Sequence, residues 1–172
     1  AFPLREDLEA MEARGALRHP RWLQAYARYI GADARIKAGE YAIPPGTTPR
    51  SLLRLLEEGT VVQHSVTFVA AWTFRDLRKA LERNEKLANT LAGRDEAAVM
   101  AALGEAGEAP EGLFFPDTYL FGKGTTDLEI LRQARDRMRR ELDAAWQDRA
   151  DGLPIASPYE ALILASIVEK ET

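Results

Sequence analysis

Cysteine is absent from all 172 residues, which removes disulfides, thiolate nucleophiles and Cys-ligated zinc together. Histidine is nearly absent: His19 and His64 are the only two, and neither belongs to a His-Glu-x-x-His pair or has a second ligand at metal spacing. These residues call for no metal and no cofactor. Long apolar runs are missing too, since none approaches the roughly 20 residues that cross a bilayer, and no basic, apolar, small-residue leader opens the chain. With 23 basic and 27 acidic residues the net charge is -4, so no global positive field draws the chain to nucleic acid. No Gly-x-Ser-x-Gly elbow is present to support a serine hydrolase. Gly122-Lys-Gly-Thr-Thr126 fails as a phosphate loop, because Asp117 stands where the first glycine is required and Gly124 separates the lysine from the threonine.

What is present is the composition of a globular protein: 46% hydrophobic, 29% charged, 12 glycines and 9 prolines. The length suits one ordinary domain or two small ones, with a core that needs no cross-links. Ala1-Phe-Pro3 at one end and an apolar helix without a Gly or Asn cap at the other read as a fragment of something longer.

Two short helices open the chain, over 4–14 and 20–30, the second with Trp22, Leu23, Tyr26 and Ile30 at helical spacing. Residues 39–43 alternate as a strand does. Thr48 is an N-cap before Pro49, a helix with four leucines runs over 49–58, and Gly59 ends it. The β-branched run 61–69 is the expected partner strand, closing a first lobe over 1–69. A second, helix-rich lobe then occupies 70–172. Its short helices are expected over 73–83, 84–92 and 95–103, the first opened by the capping box Thr73-Phe-Arg-Asp76. A loop containing 112–121 leads to the longest helix, 126–147, opened by Thr126-Asp-Leu-Glu129. Ser157-Pro-Tyr-Glu160 opens a last helix that is apolar all round, a pattern that places it at the centre of its lobe. The fold class is α+β.

Two segments carry chemistry. The last helix ends Val168-Glu-Lys-Glu-Thr172, which puts Glu169 and Glu171 roughly 200° apart around the helix. A carboxyl emerging from apolar surroundings holds its proton to higher pH and can deliver it to a leaving group, as a general acid does. Spacing alone does not separate this from two solvated glutamates at a helix end. Gly112-Leu-Phe-Phe-Pro-Asp-Thr-Tyr-Leu-Phe121 joins flat rings to polar groups, either as core pieces around a turn or as the lining of a sugar groove.

Lys37-Ala-Gly-Glu-Tyr-Ala-Ile-Pro44, Trp72-Thr-Phe-Arg75, Glu111-Gly-Leu-Phe-Phe-Pro-Asp-Thr-Tyr119 and Leu164-Ala-Ser-Ile-Val-Glu-Lys-Glu-Thr172 together resemble the YceG-like family of bacterial endolytic murein transglycosylases, over about 4–172. The resemblance implies a LysM-like lobe followed by a lysozyme-superfamily-like catalytic lobe. It implies cleavage inside glycan strands to leave 1,6-anhydro-N-acetylmuramic acid ends, by a periplasmic protein held in the inner membrane by a single-pass anchor. Glu171-Thr172 matches the Glu-Ser/Thr dipeptide of such enzymes, so the resemblance assigns the acid to Glu171, with Glu169 as second candidate. Phe114, Phe115, Asp117, Thr118 and Tyr119 become the expected substrate-binding residues. Peptidoglycan strands are the expected partner, with cell-wall synthases beside them. The other class of reading is a non-catalytic glycan-binding or scaffold module. Members usually carry Glu-Gly just before Trp-Thr, where this chain has Ala70-Ala71. The family segment that follows the catalytic helix to complete the active-site lobe lies beyond Thr172, so the chain by itself is expected to be foldable without being assured of activity.

Overall fold

Six helices and one two-stranded antiparallel sheet are seen in the computed structural model, which describes residues 11–12, 19–32, 34–37 and 39–171. The side chains of Pro20, Lys170 and Glu171 are outside that description. The α+β class agrees with expectation, and the helix expected over 4–14 lies outside the described residues apart from Met11 and Glu12, which are helical. The chain divides into two compact units between Gln63 and His64.

In the first unit, α1 (Pro20–Tyr29) and α2 (Pro49–Glu58) share one core. Thr48 Oγ1 accepts the Ser51 N–H at 3.2 Å to open α2, and Gly59 at φ 71° closes it in the left-handed conformation that suits glycine. The core face of α1 is not the expected one. Leu23 and Ala27 pack with Leu52, Leu53 and Leu56, while Trp22, Tyr26 and Ile30 are exposed. Leu23 and Ala27 lie one turn apart on a single face, and the bulky neighbours fall to one side of it.

Residues 39–43 form no strand, and what remains of the expected pairing includes a hydrogen bond from the Val62 N–H to Glu40 O at 2.7 Å. The 61–69 run instead supplies β1 (His64–Thr67) to the second unit. Its partner is β2 (Thr118–Phe121), a segment expected as loop, in the register His64 to Phe121 and Thr67 to Thr118. Side-chain alternation explains the choice: Val66, Phe68, Tyr119 and Phe121 all point into one core, with the Phe68 and Tyr119 rings 5.2 Å apart. A two-stranded ribbon is marginal alone, so its inner face must be covered by helices.

Those helices are α3 (Phe74–Arg83), α4 (Glu96–Leu103), α5 (Asp127–Gln147) and α6 (Pro158–Glu171). Both expected capping boxes are reciprocal, Thr73 with Asp76 and Thr126 with Glu129. The Thr73 hydroxyl and N–H hold the Asp76 carboxyl below its usual range, and the Thr126 N–H and hydroxyl do the same for Glu129. At α6 the third box is shifted: Ser157 Oγ accepts the Glu160 N–H at 3.3 Å, but Glu160 reaches back to the Ala156 N–H at 2.6 Å. The helix expected over 84–92 is a series of turns. Asn84 stops α3 in an extended conformation, and its side chain accepts the Lys86 N–H and donates to Ser65 O, offering the backbone an alternative to helix.

Asp127, only 3% exposed, joins those turns to the long helix. Its carboxylate accepts the Thr90 N–H at 3.0 Å, the Thr90 hydroxyl at 2.5 Å, the Leu91 N–H at 2.9 Å and the Leu128 N–H at 2.9 Å. Removing it strands several donors away from water. Asp127→Ala is expected to destabilise the second unit by about 2–4 kcal/mol, read by urea denaturation, and Asp127→Asn to recover only part of that loss. A change within 0.5 kcal/mol would mean that water replaces the carboxylate.

Candidate functional site

A cleft of about 930 Å³ lies within the second unit, between the 68–77 segment, the 110–116 loop, Met138 of α5 and one side of α6. Each wall has a local cause. The 68–77 wall begins with a turn, closed by the Trp72 N–H on Val69 O at 3.3 Å, in which Ala71 takes φ 62°. That is the third turn position, where positive φ suits glycine. The next wall is set by Glu111, whose two carboxylate oxygens accept the Phe74 N–H at 3.1 and 3.2 Å, and by Phe114, which stacks on Phe74 at 5.3 Å.

Phe115 is fixed from three directions. Its N–H donates to Ala134 O at 3.1 Å, its carbonyl accepts the Tyr119 hydroxyl at 2.6 Å, and the Arg137 guanidinium lies 5.0 Å over its ring. Arg137 also pairs with Asp117 and, less closely, with Glu141 at 3.7 Å. An aromatic ring is thus held rigidly at the edge of a mostly apolar cleft.

The five expected substrate residues divide. Phe114 and Phe115 line the cleft, whereas Asp117, Thr118 and Tyr119 are not in its lining. Asp117 pairs with Arg137, Thr118 Oγ1 meets Thr67 Oγ1 at 2.9 Å across the sheet, and the buried Tyr119 ring belongs to the core. Burial pushes the Tyr119 hydroxyl up to about 12, with Arg140 pulling the other way.

Helix α6 departs from its expected place. An all-apolar helix was expected at the centre of its lobe, but Tyr159, Leu164, Ile167 and Val168 are exposed, the last 65%. It contacts α5 and lays Leu162, Ala165, Ser166 and Glu169 along the cleft, with Leu162 against Gly112. Tyr159, Ile163 and Ile167 of the same helix also reach the cleft. Glu169 is exposed and stands at the cleft; Glu171 closes the same helix, with its side chain outside the described residues.

Sequence reasoning missed Glu111 and Trp72 as cleft residues. Both belonged to motifs that were singled out, Glu111 directly before a glycine that takes φ +80°. Among the described residues no three His, Asp or Glu gather as a metal site, and no helix is long and apolar enough to cross a membrane.

Glu111, engaged by the Phe74 N–H, and the exposed Glu169 are the two carboxylates in the lining of this largely apolar, ring-walled cleft. The chain belongs to the YceG-like family, whose model matches residues 4–172. That membership ties it to peptidoglycan and cell-wall chemistry. A comparison with curated proteins returns no match.

Relieving the turn strain gives one test: Ala71→Gly is expected to raise stability by about 0.5–1 kcal/mol in denaturant melts, less than the full left-handed cost because glycine also loosens the unfolded chain. Tyr119 gives another. Its hydroxyl titrates higher folded than unfolded, so its contribution is intact below about pH 10 and is lost as pH rises towards 12. Stability measured across that window should fall more steeply for the parent than for Tyr119→Phe, and parallel curves would refute the assignment.

Proposed function

We propose that this chain carries the substrate cleft and the proton-transfer helix of an endolytic peptidoglycan lytic transglycosylase. The observation that carries the reading is the family match over 4–172, and the ring-walled cleft bordered by α6 is its physical support. In this reading the first lobe is LysM-like and the second is the lysozyme-superfamily-like catalytic lobe. The protein is held at the bacterial inner membrane with its catalytic part in the periplasm, acting on glycan strands beside cell-wall synthases.

The reaction asks one carboxyl for two proton transfers. A protonated glutamate at the end of α6 gives its proton to the glycosidic oxygen as the bond from muramyl C1 breaks. The resulting carboxylate then takes the proton of the muramyl C6 hydroxyl while that oxygen bonds to C1. No water is consumed, the carboxyl returns to its starting form, and a second catalytic carboxylate is not required, unlike in two-carboxylate glycosidases. Glu171 is the first assignment, on its Glu-Thr dipeptide; Glu169 is the second, and its place on the cleft face supports it. Phe114 and Phe115 present flat faces to sugar rings, while Asp117 acts through Arg137 to hold Phe115 in place, and Thr118 and Tyr119 keep β2 registered behind it.

Purified glycan strands, digested by a parent protein extended past Thr172 through the segment that completes the lobe and by its Glu171→Gln and Glu169→Gln variants, should be analysed by mass spectrometry. Anhydro-ended products that disappear only with Glu171→Gln assign the acid as proposed, with a loss of about 100-fold or more. Loss only with Glu169→Gln moves the acid one site back. Strands that bind the parent yet gain no anhydro ends overturn the enzyme in favour of a glycan-binding module.

A further inference from the structure

The exposed side of α1 has a composition that the core of the first unit does not explain. Trp22 is 79% exposed and Tyr29 88%, with Tyr26 and Ile30 also outward. At 100° per residue Trp22, Tyr26 and Tyr29 fall within about 60° of one another, so they form one stripe along the helix. Ile30 joins the stripe to the buried Leu23 and Ala27, and exposed Arg21 and Arg28 flank its other side. No acidic residue occurs in α1. In sequence, residues 14–37 carry six basic residues and one acid, Asp33, in a protein of net charge -4, and of the six Arg35 is taken up by an ion pair with Glu57 at 2.6 Å.

A solvent-facing row of three large aromatics is costly in water unless something covers it. Tryptophan and tyrosine combine an apolar body with a polar tip, and arginine carries an apolar stem below its charge. All three suit the boundary between lipid headgroups and acyl chains. The order around the helix, from core through apolar stripe to cationic edge, is that of a helix lying in an interface plane. We propose that this face of α1 docks the protein on an anionic bilayer surface, with Trp22, Tyr26 and Tyr29 at headgroup depth and Arg21 and Arg28 on lipid phosphates. The assignment commits to lipid because α1 joins an aromatic stripe to a cationic edge and carries no acid of its own, the arrangement of a helix on an anionic interface. It is independent of whether α6 carries a catalytic acid.

The test is flotation of the 172-residue chain with phosphatidylcholine vesicles, with and without phosphatidylglycerol. Binding is expected only where phosphatidylglycerol is present, and it should weaken as salt rises. Trp22→Ala with Tyr29→Ala should lower the bound fraction by about tenfold, and Arg21→Gln with Arg28→Gln should remove the salt-sensitive part. All four residues are exposed, so melting curves should match the parent. The arginine pair, which touches no ring, keeps the test decisive if the aromatic pair perturbs folding. Absence of flotation with anionic vesicles overturns the proposal, as does flotation that neither pair alters. Binding to purified glycan strands that is lost in the aromatic pair, without flotation, makes the stripe a sugar platform instead. A concentration-dependent dimer abolished by the same pair makes it a self-association face.

Discussion

The buried carboxylate of Asp127 is the constraint on which the second unit depends. A charge 3% exposed is tolerable only when its lone pairs are occupied, and four donors from Thr90, Leu91 and Leu128 occupy them. The consequence is positional. The turns at 84–92 cannot move without the start of α5, and the short bridge between Ala88 and Thr126 reinforces the same junction. Once its first turn is pinned, α5 runs past the core with Ile130, Leu131 and Ala134 fully buried, reaches the cleft with Met138 and sets Arg137 over the Phe115 ring.

The cleft inherits its rigidity from that helix. Ala134 O holds the Phe115 backbone, Arg137 covers the Phe115 ring, and the ion pair to Asp117 ties β2 to the same point. The arginine-rich face of α5 is therefore not merely a solvated surface. Arg132 and Arg135 donate to Ala102 and Leu103 carbonyls at the end of α4, where the helix has carbonyls without partners of its own. Arg135 and Arg139 share Glu105, so one carboxylate organises two side chains beyond the same helix end. Arg135 and Glu105 are each only 14% exposed, so the pair fixes where α5 lies against α4, while the exposed Arg139 adds little.

Ala71 and α6 show where local chemistry yields to surroundings. Ala71 adopts a conformation that glycine would adopt freely, because the turn from Val69 to Trp72 has to direct the chain from the sheet into α3. On α6 the long apolar run forms a helix as its composition requires, yet only one side meets protein in the described residues. Periodicity reports that a helix wants to be covered; it carries no information about which surface does the covering.

Local signals were legible in the sequence: the caps at Thr48, Thr73 and Thr126, the stop at Gly59, and the helices that they bound, because a cap is a contact among residues three or four apart. The family motifs were legible too, and Phe114, Phe115 and Glu169, which come from two of them, line one cleft. Tertiary structure alone decided which strand β1 would join, since 64–67 and 118–121 are 51 residues apart and their pairing rests on a shared inner face of Val66, Phe68, Tyr119 and Phe121. It alone decided that Leu23 and Ala27, not the aromatics, would face α2, and that Glu111 would stand in the cleft as the partner of Phe74. Each of these turns on the shape and free hydrogen-bonding groups of a distant segment, which residue spacing does not encode.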